Sequence, residues 1–418
     1  MTRVLLVGNG AREHAIAIAL KKDGVDIIAH MDKMNPGIAA LATEVNINTL
    51  DDPTKLPDLM GIDYAVIGPE VPLSVGVVDH LRFQGIPSIG PRLEPARIET
   101  HKSFSRRLLE KYAKDANPRY SIARSIDAVK KFEKSNGIDN MVVKPDGLTG
   151  GKGVKVFGDH FNTAREMENY ATSLLIDHGI VVVEEKLQGT EFTVQAFSDG
   201  CNLEFMPLVR DYKRAYDEDT GPNTGSMGSF SRADHMLPDI GEADLLKAKD
   251  IMKKTIVGIK KTTHIDYKGI LYGQFMKSDS GIKVIEFNAR FGDPEAMNVL
   301  SVLSSPIDEV FQSIIDGNLV HPTFEKKATV CVYIVPEGYP GQDVVKDAPM
   351  SFVPGIQSEM YYASVYEKEG IVHTTGSRAV ALLAKADTVG EARRMVYSDA
   401  EMVNGKVRYR KDIAKDVD

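Results

Sequence analysis

Glu286 and Asn288 stand two residues apart in the stretch "KVIEFNARFGDPE". Side chains alternate along an extended chain, so residues i and i+2 share a face. A carboxylate and an amide oxygen on one face are hard donors of the kind that hold Mg²⁺. Arg290 falls on the same side if the strand persists, ready for a phosphate or a carboxylate. Gln274 lies on the preceding strand "LYGQF", where hairpin pairing would bring it near them. The bland alternative, a solvated polar edge, fits badly beside "VIEF".

A second constellation is "PDGLTGGKGV", residues 145–154, between the apolar segments "MVVK" and "KVF". Glycine tolerates positive φ and lets backbone N–H groups approach an anion closely. Lys144 closes the first strand and Lys152 lies inside the loop, with Gly150, Gly151 and Gly153 around it. The spacing is not a Walker A loop, which runs G-x-x-x-x-G-K-[ST] into a helix. It reads as a polyphosphate loop, with an ordinary hairpin turn as the alternative.

Further polar clusters follow. "VVVEEKLQGTE" ends a strand with Glu184 and Glu185 and places Glu191 beyond it. Such a segment can offer backbone groups to an adenine edge, with Glu191 on the ribose; alone, these are ordinary strand-end carboxylates. "RDYKRAYDEDTGPNTGSMGSFS", residues 210–231, is read as a long polar loop: "RDYKR" supplies Asp211, Lys213 and Arg214 ahead of "DTGPNTGSMG", residues 219–228, which binds something or merely covers the surface. At the N-terminus, "GNGAREHA" sets Gly8, Asn9 and Gly10 between a strand and a helix, where helix N–H groups meet an anion. A dinucleotide fingerprint wants a third glycine where Glu13 stands, so a phosphosugar fits better than NAD. "GPEVPL" puts Glu70 at the same edge of the sheet, for a ribose hydroxyl or an amine, or simply as a first-turn carboxylate. His14 reads as a satisfied helix histidine.

The elements that must position these groups alternate β and α over residues 1–100: strands "RVLLVG", "DIIAH", "YAVIGPE" and "IPSIGP", a helix "AREHAIAIALKK" and another from Pro72 to Arg82. This is the pattern of an open parallel sheet. A helix "KSFSRRLLEKY" leads into a small β-rich unit. Long strands and a helix at 242–261 follow, then a tail with "ATVCVYIV", "SEMYYASVY", "AVALLAKA" and a helix. The expected division is 1–100 (phosphosugar-binding α/β), 101–118 with 189–325 (core), 119–188 (β-rich lid) and 326–418 (C-terminal α+β). The fold class is thus a mixed α/β and α+β multidomain protein.

The 418 residues are 43% hydrophobic and 26% charged, ordinary for a globular chain. No apolar run reaches the length of a membrane span. The N-terminus lacks a signal peptide's apolar region. Two cysteines without metal or CxxC spacing suit a reducing cytoplasm. A net charge of −8 disfavours nucleic acid as a partner.

In this order, "GNGAREHA", "GPEVPL", "KPDGLTGGKGV", "DTGPNTGSMG" and "IEFNARFGDPE" resemble the ATP-grasp ligases, and more narrowly the glycinamide ribonucleotide synthetases, over nearly the full length. The resemblance implies a pre-ATP-grasp N-terminal sheet, a two-part ATP-grasp with a mobile lid, and a small C-terminal domain. It implies Lys102 and Lys144 on ATP phosphates, Glu184 to Leu187 as the adenine hinge, Glu191 on the ribose, and Glu286, Asn288 and Gln274 on Mg²⁺, with Mn²⁺ as an alternative. Asn223, Thr224, Gly225, Asp219, Asp293 and Pro294 would shape the acceptor site, and the first domain would hold 5-phosphoribosylamine. Arg290, Lys213 and Asp211 would handle charge in the reaction, with no protein nucleophile. That reaction would join glycine to phosphoribosylamine through glycyl phosphate in purine biosynthesis, catalysed by a monomer or at most a weak dimer. The chain departs from the family pattern at His101, Tyr212, Ser226 and Asn35–Gly37. Competing readings are an ATP-grasp ligase or carboxylase with another acceptor, a non-catalytic nucleotide-binding module, and a dinucleotide-dependent oxidoreductase.

Overall fold

The protein is described by a computed structural model over residues 1–150 and 153–417. Its N-terminal sheet holds β1 (Arg3–Val7), β2 (Asp26–Met31), β3 (Glu44–Ile47), β4 (Tyr64–Ile67) and β5 (Ser88–Ile89), all parallel, in the order β3-β2-β1-β4-β5. β1 and β4 are almost wholly apolar because helices cover both faces of such a sheet. The strand order reverses between β1 and β4. The turns after them, Gly8–Gly10 and Gly68–Glu70, therefore flank the crevice where open α/β sheets bind ligands. The helix expected from Pro72 to Arg82 is broken into Glu70–Ser74 and Val77–Phe83, because Gly76 adopts φ +80° between them.

Residues 119–188 carry a four-stranded sheet in the order Tyr120–Ala123, Val181–Glu185, Met141–Pro145, Lys155–Val156. "β-rich" understates this unit. Helices Ile126–Asn136 and Ala164–His178, capped by Ser125 and Thr163, seal one core with it around Val129, Phe132 and Met167. The glycine loop joins two strands that pair antiparallel, so it is topologically a hairpin as well.

The central sheet is antiparallel: Leu203–Phe205, Thr190–Asp199, Lys268–Ser278, Gly281–Asn288. Helices Leu93–Thr100, Lys102–Tyr112 and Glu242–Thr263 pack on it. The stretch read as a polar loop instead contains four short strands. Arg214–Tyr216 and Thr220–Asn223 form a hairpin, while Arg210–Asp211 and Gly228–Ser231 extend the sheet built on Ala328–Pro336. "SEMYYASVY" is two strands in different sheets, Glu359–Tyr362 and Val365–Lys368. Among the described residues no helix is long and apolar enough to cross a membrane.

Candidate active site

Strict alternation would put Ile282, Val284, Glu286 and Asn288 on one face, two of them apolar and two polar. The structure resolves the conflict with a β-bulge. Gln274 pairs with Glu286 and Phe275 with Val284, leaving Ile285 as the extra residue. Ile282, Val284 and Phe287 then go into the core, while Glu286 and Asn288 face a cleft of about 380 Å³. Arg290 reaches the same cleft from the turn after the strand, which stops at Asn288; it does not continue the strand face as expected.

Arg106 holds the bulge. Its guanidinium donates to the carbonyls of Val284 (3.0 Å) and Ile285 (2.6 Å) and makes two bonds to Glu184, at 2.5 and 2.8 Å. Lys144 lies 2.7 Å from the same carboxylate and 3.4 Å from the Ile285 carbonyl. Burial disfavours the ionised Glu184, but Arg106 and Lys144 outweigh it and bring its pKa down to about 2. The Glu184 side chain is thus part of the cleft floor, and its strand is paired on both sides, with Tyr120–Ala123 and Met141–Pro145.

Lys102 opens its helix beside the glycine loop, its ammonium 3.1 Å from the Gly147 carbonyl. Asp146 caps that helix, accepting from the Ser103 N–H (2.6 Å) and hydroxyl (2.8 Å). Burial lowers the Lys102 pKa, Glu286 opposes this, and Lys144 adds to it. Leu148, Thr149, Gly150 and Val154 of the loop line the cleft. Gly153 packs too tightly on Pro145 and Thr149 for a side chain, and its carbonyl accepts from Tyr170. Gly151 and Lys152 lie outside the described residues.

At the other end, Arg290 sits between two carboxylates, 3.3 Å from Glu70 and 3.2 Å from Glu99. Burial, opposed by Arg290 and reinforced by Glu70, pushes the Glu99 pKa up to about 7. Burial also disfavours the ionised Glu70, but Arg290 and Arg12 win and lower its pKa. Asp293 accepts from Tyr333 (2.5 Å) and Arg378 (2.9 Å), and Arg378 also donates to the Gly225 and Ser226 carbonyls. One arginine therefore joins the "GPNTG" and "GDP" segments.

The remaining expected residues fall in three places. Glu191 accepts from Gln274 (2.8 Å) and Lys213 (3.3 Å), so the Gln274 amide nitrogen is engaged although Gln274 faces Glu286 in register. Burial works against the Lys213 charge, but Asp211 and Glu191 raise its pKa above the ordinary lysine value. Thr224 bonds the Lys213 carbonyl, and Pro294 caps helix Glu295–Ser301. Asp219 turns away to Arg410 (2.9 Å), outside the cleft, and Asn223 ends the exposed hairpin. Glu185 accepts from the Arg119 N–H, and Leu187 follows it outside the cleft lining.

In the first turn, Glu13 occupies the place of the missing glycine. It accepts from Gly10 N–H (2.7 Å) and Arg12 (2.6 Å). A Cβ on Gly8, Gly10 or Gly68 would collide with it. The Gly10 amide is therefore committed to Glu13, and a dinucleotide's pyrophosphate finds the turn filled. The Asn9 carbonyl accepts from Asn35, which also caps helix Pro36–Leu41 and donates to Tyr362. His14 is buried, accepts from the Tyr362 N–H (3.0 Å) and has its pKa lowered to about 4 by burial, a satisfied core histidine.

Sequence reasoning missed Arg12, Glu99, Arg106 and Arg378, all lining the cleft. Arg106 was findable: it follows Lys102 by four residues on one helix, hence on one face. Glu99 and Arg378 carried no local signal.

Among the described residues no three His, Cys, Asp or Glu side chains form a metal cluster. One carboxylate and one amide, Glu286 and Asn288, suit a Mg²⁺ that completes its shell with phosphate oxygens and water rather than a protein cage.

Residues 2–99, 100–296 and 329–416 match the N domain, the ATP-grasp (A) domain and the C domain of phosphoribosylglycinamide synthetase. A phosphoribosylamine–glycine ligase of Methanosarcina barkeri is 44% identical over 418 residues, 98% of this chain and 96% of its own. One of Methanoregula boonei is 46% identical over 417 residues, with the same 98% and 96% covered. The crystal structure of a Thermotoga maritima phosphoribosylamine–glycine ligase superposes with TM-score 0.85 at 28% identity, covering 99% of this chain and 100% of that one. A Campylobacter jejuni biotin carboxylase shares the fold, with TM-score 0.74 at 15% identity, over 99% of this chain and 94% of its own.

Proposed function

The chain belongs to the phosphoribosylglycinamide synthetase family, and from that premise we propose how its cleft performs the reaction. It is an ATP-dependent ligase of purine biosynthesis. Glycine receives the γ-phosphoryl group of ATP, and the amine of 5-phosphoribosylamine displaces phosphate from glycyl phosphate. The products are glycinamide ribonucleotide, ADP and phosphate.

The reading is carried by one observation: Lys102, Lys144, Glu286 and Asn288 share a single cleft with Arg290, Asp293 and Glu70. The first four form the phosphate end. Lys102 and Lys144 offset the negative charge of ATP as it meets the glycine carboxylate. Glu286 and Asn288 would hold Mg²⁺, and Gln274, whose nitrogen is given to Glu191, would join through its amide oxygen. Such a cation would neutralise phosphate charge when bound. The residues just past the paired strand, Lys186 and Leu187, would present backbone to the adenine, and Glu191 and Lys213 would close that side.

Arg290 has the charge to orient an acyl phosphate between Glu70 and Glu99. Gly225, Asp293 and Arg378 bound the acceptor end, and Pro69 and Glu70 line the cleft from the side of the N-terminal sheet, where the Gly8–Gly10 turn would meet the phosphosugar. The protein supplies position and exclusion of water, with no covalent step of its own. We propose that the chain works as a monomer or at most a weak dimer. The cytoplasm, where ATP is abundant, is its proposed location.

The test is product mass. Protein, ATP, Mg²⁺, glycine and phosphoribosylamine made in place from ribose 5-phosphate and ammonia should give glycinamide ribonucleotide only when every component is present. ATP turnover without that product, while another acid or amine is consumed, would overturn the acceptor assignment.

A further inference from the structure

The last residues of the chain clasp the hairpin that leads into the acceptor loop. Arg410 is fully buried, with 0% of its side chain exposed. It donates to the Arg214 carbonyl (2.9 Å), to Asp219 (2.9 Å) and to both oxygens of Asp412 (2.8 and 2.6 Å). Arg408 donates to the Ala215 carbonyl (2.9 Å), the Lys411 N–H to Asp217 (2.8 Å), and the Ala414 N–H to the Tyr212 hydroxyl (3.1 Å). In return, the Glu218 N–H donates to Asp412 (2.8 Å). The partners lie about 200 residues apart, and the bonds reach the first strand of the hairpin and its turn.

What the hairpin carries gives the clasp a purpose. Arg214 pairs with Asn223, so Lys213 and Thr224 flank the base of the hairpin, and Thr224 bonds the Lys213 carbonyl through N–H and hydroxyl, both at 2.8 Å. Gly225, the next residue, lines the cleft. On its other side Arg378 bonds the Gly225 and Ser226 carbonyls, and the Ser226 hydroxyl and Met227 N–H are tied to the Tyr212 carbonyl. The hairpin turn itself is exposed and lacks an apolar core of its own, and isolated two-stranded hairpins are marginal in water.

We propose that Arg410 is a positioning residue: through Arg214 and Asp219, the C-terminal tail fixes the hairpin and thereby sets Gly225 at the acceptor end of the cleft. The inference rests on the ligase reading above only for its kinetic consequence. Arg410 touches no substrate. Its fork fits a main-chain carbonyl and two carboxylates at once, which a lysine ammonium cannot reproduce.

The experiment compares R410K, D219A and the double variant with the wild-type chain. Asp219 is 67% exposed, so D219A removes the acceptor on the hairpin side without touching the core. Amide hydrogen exchange should quicken over residues 214–226 in each variant and stay unchanged in the N-terminal sheet. In turnover, KM for glycine or phosphoribosylamine should rise about tenfold, with the KM for ATP nearly unchanged. The double variant should be no worse than the worse single one, because both cut the same link. Unchanged exchange at 214–226 overturns the proposal. So does a lowered melting temperature with unaltered acceptor KM, the mark of a purely structural arginine. Exchange reads the clasp even if the wild-type chain makes no glycinamide ribonucleotide, so failure of the function and failure of the clasp are distinguishable.

Discussion

Arg106 and Glu184 meet in two hydrogen bonds of 2.5 and 2.8 Å on the cleft floor, each side chain 3% exposed. Removing one partner of such a buried pair leaves a charge without compensation. Arg106→Met should therefore cost about 3–5 kcal/mol, read from urea unfolding, and should also release the bulge at Ile285. Glu184→Gln should cost at least as much, because it strips the counter-charge from Arg106 and Lys144 together. A clearly smaller cost would mean that the carbonyl bonds to residues 284 and 285 dominate instead.

The same pair sets an acid limit. Glu184 has a folded pKa of about 2, below the ordinary value of 4.5. Its stabilisation is fully present above pH 4.5 and is lost as pH falls toward 2. Glu184→Gln should flatten that part of the stability curve in chemical unfolding between pH 5 and pH 3.

Glu99 behaves in the opposite sense. Its folded pKa is raised from 4.5 to about 7. Folded protein then binds the extra proton between those values, so its contribution to stability falls as pH rises from 4.5 to 7. Glu99→Gln should remove that decline, measured as the unfolding midpoint at pH 5 against pH 7.5. It also takes a counter-charge from Arg290, so a changed acceptor KM is expected alongside.

Glu286→Ala should fold normally, because the residue faces the cleft rather than the core. It should lose Mg²⁺-dependent turnover by about two orders of magnitude or more. A titration of rate against Mg²⁺ checks this, and near-normal activity would remove Glu286 from the metal role.

His14 should stay neutral throughout pH 5–8, since burial holds its pKa at about 4. Its ring resonances should not titrate in that window. Replacing it with a cation would strain the bond from the Tyr362 N–H and the contact with Gly37.

Much of the site was written locally. The i, i+2 spacing of Glu286 and Asn288, the lysines around a glycine loop and the two glycine turns of the first domain each depend on neighbours along the chain. Backbone periodicity and glycine's freedom suffice to interpret them. Glu13 in place of a third glycine could likewise be read against a dinucleotide, and its carboxylate indeed fills that turn. The polar stretch at 210–231 misled because strand pairing is decided by the partner. Gly228–Ser231 becomes a strand by meeting residues 329–332, some hundred positions away.

From its sequence alone this chain determined which groups carry charge and which stretches of backbone can cradle an anion, because those properties belong to single residues and short spacings. Only the tertiary structure decided which groups meet. A bulge at Ile285 separates core from cleft, Arg106 crosses from a helix to Glu184, and Arg378 and Arg410 reach back from the C-terminal segment to the acceptor hairpin. Such contacts are fixed by the packing of distant elements, whose energy no local pattern records.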